Sequence, residues 1–286
     1  MKNELKSRRK TADSDWLQER LDRILAFLQQ NTQWNRKFQE SEYARCLSGC
    51  SSARDRLVSF LHLNVSTQSR VDMDGLTAFW QRLHRANDEQ TSSLRAFTAY
   101  LQEQGSERVK KQTPAFTASE AEADEWAALF LALNAQGGWG IKTTALFVKA
   151  AIRLHEGPKH LHFWPDATST VGASLKSKPY LPVDRVILHI FRTLGLASPR
   201  VETINARLRA RYSADEMLIW DDLWFWGFFT QEGNGENRTL GWNPGKFWHQ
   251  LSSPKCEADK LELLCLEFLK LLEAAPTATI EPRLAA

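Results

Sequence analysis

Cysteine is scarce: four residues, at positions 46, 50, 256 and 265, are spread over 286. That excludes a disulfide scaffold, which a chain of this length does not need to bury a full core. The spacing also excludes a four-cysteine iron–sulfur run, and the usage fits a reduced, cytoplasmic compartment. Long apolar runs are missing as well. The longest, Trp126–Leu133 and Leu223–Phe229, fall far short of the ~20 residues of a membrane helix. The opening Met1–Lys10 is polar and basic, with no apolar stretch of the kind a secretory signal requires. No segment alternates apolar and polar residues for long, no Asn-Gly turn joins two such segments, and no repeat appears. Neither sign of charge is in large excess. A formal net charge of +3 permits a polyanionic partner without demanding one.

What is present is helical text and tryptophan. The chain has 43% hydrophobic and 25% charged residues, ordinary for a globular protein, but eleven tryptophans, which points to a well-filled helical core, to aromatic platforms, or to both. Leu17, Leu21, Ile24 and Leu28 recur at helical spacing behind a cap at Asp13 or Ser14, with residues 1–12 frayed. Further helices are predicted over Ser52–Leu63, over Gly75–Ala86 with Leu76, Phe79, Trp80 and Leu83 on one face, and over Ser92–Gln104. Ser119–Glu122 fits a capping box for a helix that runs to Ala135. Arg108–Pro114 reads as a basic linker, and Glu156–Pro182, with four prolines, cannot be one helix. Gln231–Gly245 reads as a loop, and the tail after Pro276 as disordered. The fold class is therefore all-α.

The densest signal lies in residues 126–155, WAALFLALNAQGGWGIKTTALFVKAAIRLH. One apolar helix stops at Gln136-Gly137-Gly138, and a second starts near Ile141. A tight hairpin between helices needs a positive φ, which glycine permits. It leaves amide N–H groups and a helix dipole facing outward, a setting that favours an anion such as a phosphate. A bland helix–turn–helix corner fits the same glycines. Downstream, residues 181–195 read LPVDRVILHIFRTLG, with Asp184 where a helix cap belongs and Val186, Ile187, Ile190, Phe191 and Leu194 behind it.

Together, GWGIKTTALF and LPVDRVILHIFRTLG resemble the helix–hairpin–helix DNA glycosylase superfamily, the group of endonuclease III and the 8-oxoguanine glycosylases. Gly138, Gly140, Lys142, Thr143, Val183, Asp184, Leu194 and Gly195 stand at matching places. Gly137 replaces the usual proline, Trp139 the usual small aliphatic, and Arg185-Val186 the frequent Thr-His; the interval between the two motifs is longer, and no cysteine cluster follows. The resemblance implies a two-lobed helical glycosylase with a DNA cleft between the lobes. One lobe would span residues 36–155 and hold the hairpin, the other 1–35 plus 183–286, with 156–182 an inserted loop. It implies Lys142 as nucleophile and Asp184 as the carboxylate that stabilises cationic charge on the sugar. The partner would be double-stranded DNA carrying a modified base, flipped out of the stack. The protein would be a monomer, off the membrane, with no cofactor or metal. Lysine-dependent abasic-site lyase activity would accompany base excision. Two substrates fit: an oxidised purine such as 8-oxoguanine, or a bulky hypermodified base such as glucosylated hydroxymethylcytosine of phage DNA. The first would mean repair, the second antiviral defence. The rivals are a non-catalytic helix–hairpin–helix DNA-binding protein and an all-α interaction scaffold.

Other residues complete the expected interface. Gly138, Trp139, Gly140 and Thr143 would meet a phosphate through the hairpin. From Arg185 to Arg211 there are six arginines and one acidic residue, Glu202; Arg185, Arg207, Arg209 and Arg211 would form a basic stripe, or simply a solvated face. Trp220, Trp224 and Phe228 fall at i, i+4 and i+8 of one expected helix, as core or as the rim of a base pocket. Phe163 and Trp164, beside His160 and His162, would line or enlarge that pocket. His-x-His without partners is no metal site, Cys46 and Cys50 lack zinc spacing, and the GNGEN loop at 233–237 lacks the lysine of a phosphate loop.

Overall fold

A computed structural model describes residues 2–68, 71–104, 124–167, 177–235, 237–251 and 253–273, with side chains from Trp16 onward. The fold is all-α. No helix among the described residues is long and apolar enough to cross a membrane. The chain divides into two compact units, each discontinuous in sequence. One comprises residues 1–31, 184–200 and 222–286; the other comprises 32–183 and 201–221. The Ser119–Glu122 capping box, the Arg108–Pro114 linker and the tail after Pro276 lie outside the described residues.

The larger unit carries α2 (Thr32–Leu47), α3 (Ala53–Val65), α4 (Met73–Arg85), the short α5 (Asp88–Thr91), α6 (Leu94–Gln104), α7 (Glu125–Asn134) and α8 (Ile141–Glu156). Caps set the starts: Ser52 and Asp55 form a reciprocal box on α3, Asp72 caps α4, and Asp124 Oδ1 accepts from the Trp126 and Ala127 amides of α7. The core is aromatic: Phe60, Phe79, Phe97, Trp126, Trp139, Phe147, Phe163 and Trp164 form one buried cluster.

Phe163 and Trp164 therefore do not line a base pocket. Trp164 is fully buried among Phe97, Trp126, Phe147 and Phe163. The described part of the expected loop is irregular apart from one short turn, and it is tied to the unit. Pro158 opens a 3-10 turn, Lys159–Leu161, Arg56 Nε donates to the His162 carbonyl (3.0 Å), and Asp166 Oδ1 accepts the Leu94 amide at the start of α6 (2.9 Å). His162 Nε2 lies 3.1 Å from the Gly157 carbonyl. Buried His155 packs beside them: its Nδ1 lies 2.8 Å from the Ala151 carbonyl, and its Nε2 accepts the Trp164 amide at 3.3 Å. That pairing fixes the neutral tautomer, and burial pushes the imidazole down to about 4.

The larger unit also holds α10 (Val201–Arg211) and α11 (Ala214–Ile219), which the sequence assigned to the other lobe. The reason is a set of reciprocal hydrogen bonds. Asn205 exchanges two bonds with the Leu181 backbone (2.7 and 3.0 Å); Arg209 Nε donates to the Lys178 carbonyl (3.0 Å) and Lys178 Nζ to that of Arg209 (2.9 Å). The Arg209 guanidinium lies 3.9 Å over the Tyr180 ring, which also stacks on Phe130 at 4.6 Å. Asp221 then closes the segment with a buried ion pair to Lys149 of α8 and a bond from Gln39 (3.1 Å). Breaking one member of such a pair costs about 3–5 kcal/mol.

The smaller unit is built on α1 (Lys2–Gln30), α9 (Arg185–Thr193), α12 (Asp222–Phe229), α13 (Pro244–Gln250) and α14 (Lys255–Leu272). Helix α1 begins at Lys2, so Asp13 and Ser14 lie inside it rather than capping it. Its apolar row meets α12 and α14: Phe27 packs on Trp226 (4.9 Å) and Phe268 (5.6 Å), and Arg20 Nη1 donates to the Leu271 carbonyl (3.0 Å). Helices α9 and α12 approach closely at Gly227, where a Cβ would lie 2.6 Å from Val186 and Ile190. The expected loop 231–245 contains a two-residue antiparallel pair, Gln231–Glu232 (β1) with Thr239–Leu240 (β2), and ends at Asn243, the cap of α13.

Candidate functional site

In the larger unit the hairpin between α7 and α8 is held by shape. Gly138 has φ +81°, and a Cβ there would sit 2.5 Å from the Leu76 side chain. A Cβ on Gly137 would meet the Gly75 Cα at 2.8 Å, and one on Gly75 would meet the Gly138 nitrogen at 2.6 Å. The first turn of α4 and the hairpin thus touch backbone to backbone. Gln136, buried, ties the corner: Nε2 donates to the Leu101 and Ala132 carbonyls (2.8 and 3.0 Å), and Oε1 accepts from Arg82 (3.2 Å). Gln68 Nε2 donates to the Gly138 carbonyl (3.0 Å). Gly75, Gln68 and Gln136 carry no linear signature of these roles.

Beyond this corner, α8 begins with no side-chain cap. Gly140 is exposed, with φ −87°, and nothing lies within 4 Å of where its Cβ would be. The N–H groups of the first turn therefore have no side-chain acceptor. Lys142 sits in that turn, half-buried, its ammonium 3.3 Å from the Thr67 carbonyl. The side chains of Trp139 and Thr143 are not part of this surface. Both are buried, Trp139 between Phe79 (5.3 Å) and Phe147 (5.9 Å), so Trp139 anchors the hairpin from beneath.

In the smaller unit Asp184 caps α9. Its Oδ1 accepts the Ile187 amide (3.0 Å), and its Oδ2 accepts the indole N–H of Trp224 (3.1 Å). Trp224 is half-buried and stacks on Phe228 at 5.1 Å. This tryptophan, read from sequence as core or pocket rim, donates to the carboxylate and helps to orient it. Trp220 does not share its helix. The chain breaks at Trp220-Asp221 between α11 and α12, and Trp220 is fully buried against Tyr212 in the larger unit.

The arginines separate in the same way. Arg185 is exposed at the start of α9, while Arg207, half-buried, and Arg211, exposed, lie on α10. Arg209 is buried in the clamp with Tyr180 and Lys178, and its guanidinium does not face solvent. Its charge, read from sequence as a surface feature, is spent on packing.

No protein-family profile, characterised protein or solved structure matches the chain.

Proposed function

We propose that the chain is a helix–hairpin–helix DNA glycosylase that excises a modified base through Lys142 and Asp184, with abasic-site lyase activity. The observation that carries this reading is the first turn of α8, which starts at exposed Gly140 without a side-chain cap, follows a left-handed glycine and bears half-buried Lys142. Such a turn accepts a phosphate through its amides and keeps an amine beside the nucleotide it holds. The neutral lysine amine attacks the sugar C1′. The Nζ–C1′ bond forms, the bond from C1′ to the base breaks with its electron pair leaving on the base, and the ammonium proton is lost. Ring opening gives an imine, from which the lyase step eliminates the 3′ phosphate. Asp184, pre-oriented by two N–H donors, supplies negative charge for the cationic sugar without reorganising. The substrate is a modified base, with 8-oxoguanine and glucosylated hydroxymethylcytosine as the two arms of a test. The packing of Phe163 and Trp164 into the core withdraws the argument that an aromatic insertion enlarges the pocket for the bulkier one.

One observation favours a non-catalytic DNA-binding protein: both Asp184 oxygens already accept internal hydrogen bonds. Borohydride trapping separates the readings. Incubated with duplexes carrying each modified base, the protein is expected to give a reduced covalent adduct, and Lys142→Gln to lose it at least 1,000-fold while keeping DNA affinity, because the phosphate is held by backbone amides. Asp184→Asn keeps a capping oxygen, so it should lose base release yet stay within about 1 kcal/mol of wild-type stability. Salt-sensitive DNA binding with no adduct and no released base from any duplex would leave the non-catalytic reading.

A further inference from the structure

Helix α3 of the larger unit carries a polar row of its own. Asp55, Ser59 and His62 fall at i, i+4 and i+7 on one face. With Arg54 and Val58 they line a cavity of about 380 Å³, which Trp80, Leu83 and His84 of α4 complete. That volume lies in the range of small-molecule sites. The His62 imidazole lies parallel to the Trp80 indole, ring centroids 3.7 Å apart and planes 6° from parallel. Trp80 is half-buried, while His62 is exposed beyond the face that the indole covers. Buried Leu83 and half-buried Val58 supply the apolar part of the lining.

The charges of this cavity are already matched. Arg54 donates to Asp88 Oδ1 (3.1 Å) and to the Leu83 and His84 carbonyls (3.2 and 3.4 Å). Partial burial holds the His62 imidazole below its ordinary value, so it is neutral at pH 7. Asp55 Oδ2 accepts from the Ser51 hydroxyl (2.8 Å) and the Ser52 amide (3.2 Å), bonds that hold its carboxyl below the usual range. Its Oδ1 accepts no hydrogen bond among the described residues. Ser59 Oγ accepts the Cys50 thiol (3.3 Å), which leaves its own O–H to donate. A free carboxylate oxygen and a free hydroxyl proton, one helical turn apart, thus stand as an acceptor beside a donor, next to a flat aromatic pair.

We propose that this cavity binds a small heteroaromatic molecule through an amino group adjacent to a ring nitrogen, the edge shared by cytosine and adenine. The ring stacks on the His62–Trp80 pair, the amino N–H donates to Asp55 Oδ1, and the ring nitrogen accepts from the Ser59 hydroxyl. Uracil and hypoxanthine present the reverse order at that edge, a carbonyl beside an N–H, and so set an acceptor against the carboxylate. The guanidinium in the lining is spent on Asp88 and two carbonyls, so it does not wait for a phosphate, and the ligand is the free base or its nucleoside. The site lies within the larger unit, uses no residue assigned to base excision, and does not rest on the DNA reading.

The test is a saturation-transfer NMR titration of the whole chain with cytidine, adenosine, uridine and inosine. Cytidine and adenosine are expected to bind with a Kd of about 0.1–1 mM, and the matching carbonyl nucleosides about tenfold more weakly, the loss of one charged hydrogen bond. Asp55→Asn should narrow that difference, since its amide can turn a donor toward the carbonyl. Trp80→Leu should weaken both amino nucleosides about tenfold or more, the cost of one stacked base. Thermal melting checks both variants, and exposed Asp55 carries the decision if Trp80→Leu melts early. No binding of cytidine or adenosine up to about 10 mM, equal binding of uridine and inosine, or unchanged binding by the folded variants would each overturn the proposal. So would binding of single-stranded oligocytidylate without binding of cytidine, which would make the cavity a nucleic-acid contact. None of these results bears on the borohydride trap, so the two readings fail separately.

Discussion

The two groups assigned to chemistry are held in opposite ways. Around Lys142 the larger unit relies on shape: glycines that admit no Cβ, a tryptophan wedged beneath the turn, a buried glutamine. The lysine itself makes one long contact to a backbone carbonyl. Around Asp184 the smaller unit relies on directed hydrogen bonds, one from an amide and one from an indole, onto the charged atoms themselves. The difference suits the roles. Under the proposed glycosylase reading, a nucleophile that must travel to the sugar would want a fixed frame and a loose side chain, and a stabilising carboxylate would want to be in place before charge develops.

The sharpest way to break this contrast is at the hairpin. Gly138→Ala forces a left-handed backbone, at about 1–2 kcal/mol, and overpacks Leu76, at about 1–3 kcal/mol more. Urea unfolding should show a loss of about 4 kcal/mol, and adduct formation should fall with it. Gly140→Ala, two residues on and free of neighbours, should leave stability within about 0.5 kcal/mol. Similar losses at both positions would mean that the corner is not shape-determined.

Acid should act on the larger unit through His155. The folded imidazole titrates at about 4, against 6.5 in its ordinary state, so the unfolded chain takes up its proton first. Stability is full above about pH 6.5, falls as pH drops toward 4, and levels off below. The whole decline is worth about 3 kcal/mol. Denaturant melts at pH 7 and pH 4.5 measure it, and amide exchange should rise on α8 over the same interval. His155→Gln should flatten the profile; an unchanged profile would show that other groups govern the acid limb.

The smallest effect sharpens the other side of the comparison. Trp224→Phe keeps the stack on Phe228 and removes the N–H that Asp184 Oδ2 accepts. One hydrogen bond to a charged group is worth about 1.5 kcal/mol, so base release should slow about tenfold while DNA affinity holds. Loss of affinity instead would make Trp224 a DNA contact rather than a positioning residue.

What was legible in the sequence was local. The glycine hairpin and the Asp184 cap are each written within a few residues, because a left-handed turn and an orphaned amide demand particular residue types on the spot. The all-α class followed from apolar spacing for the same reason. Helix α2 was passed over because its residues are mostly polar and it buries Asn35, Tyr43 and Leu47 rather than an apolar row. The assignment of α10 and α11 depended on Asn205 and Arg209 finding backbone partners at Leu181 and Lys178, some 24 and 31 residues away. A polar side chain's partner is not encoded in its neighbours, so Arg209 read as a free charge. The role of Gly75 and the bond of Trp224 to Asp184 escaped for a related cause: each depends on a contact 40 or more residues off.

The packing of α1 on α12 and α14 has a consequence for how the chain is made. Phe27 is synthesised about 200 residues before Trp226, its closest aromatic partner. At about 5–20 residues per second, that leaves the apolar row Leu17, Leu21, Ile24 and Leu28 uncovered for about 10–40 s on the ribosome. The larger unit, whose sequence is nearly continuous up to Val183, can collapse in that interval; the smaller one waits for the last helix. During synthesis the first helix is therefore a sticky handle, open to a chaperone or to a neighbouring nascent chain until α14 emerges to cover it.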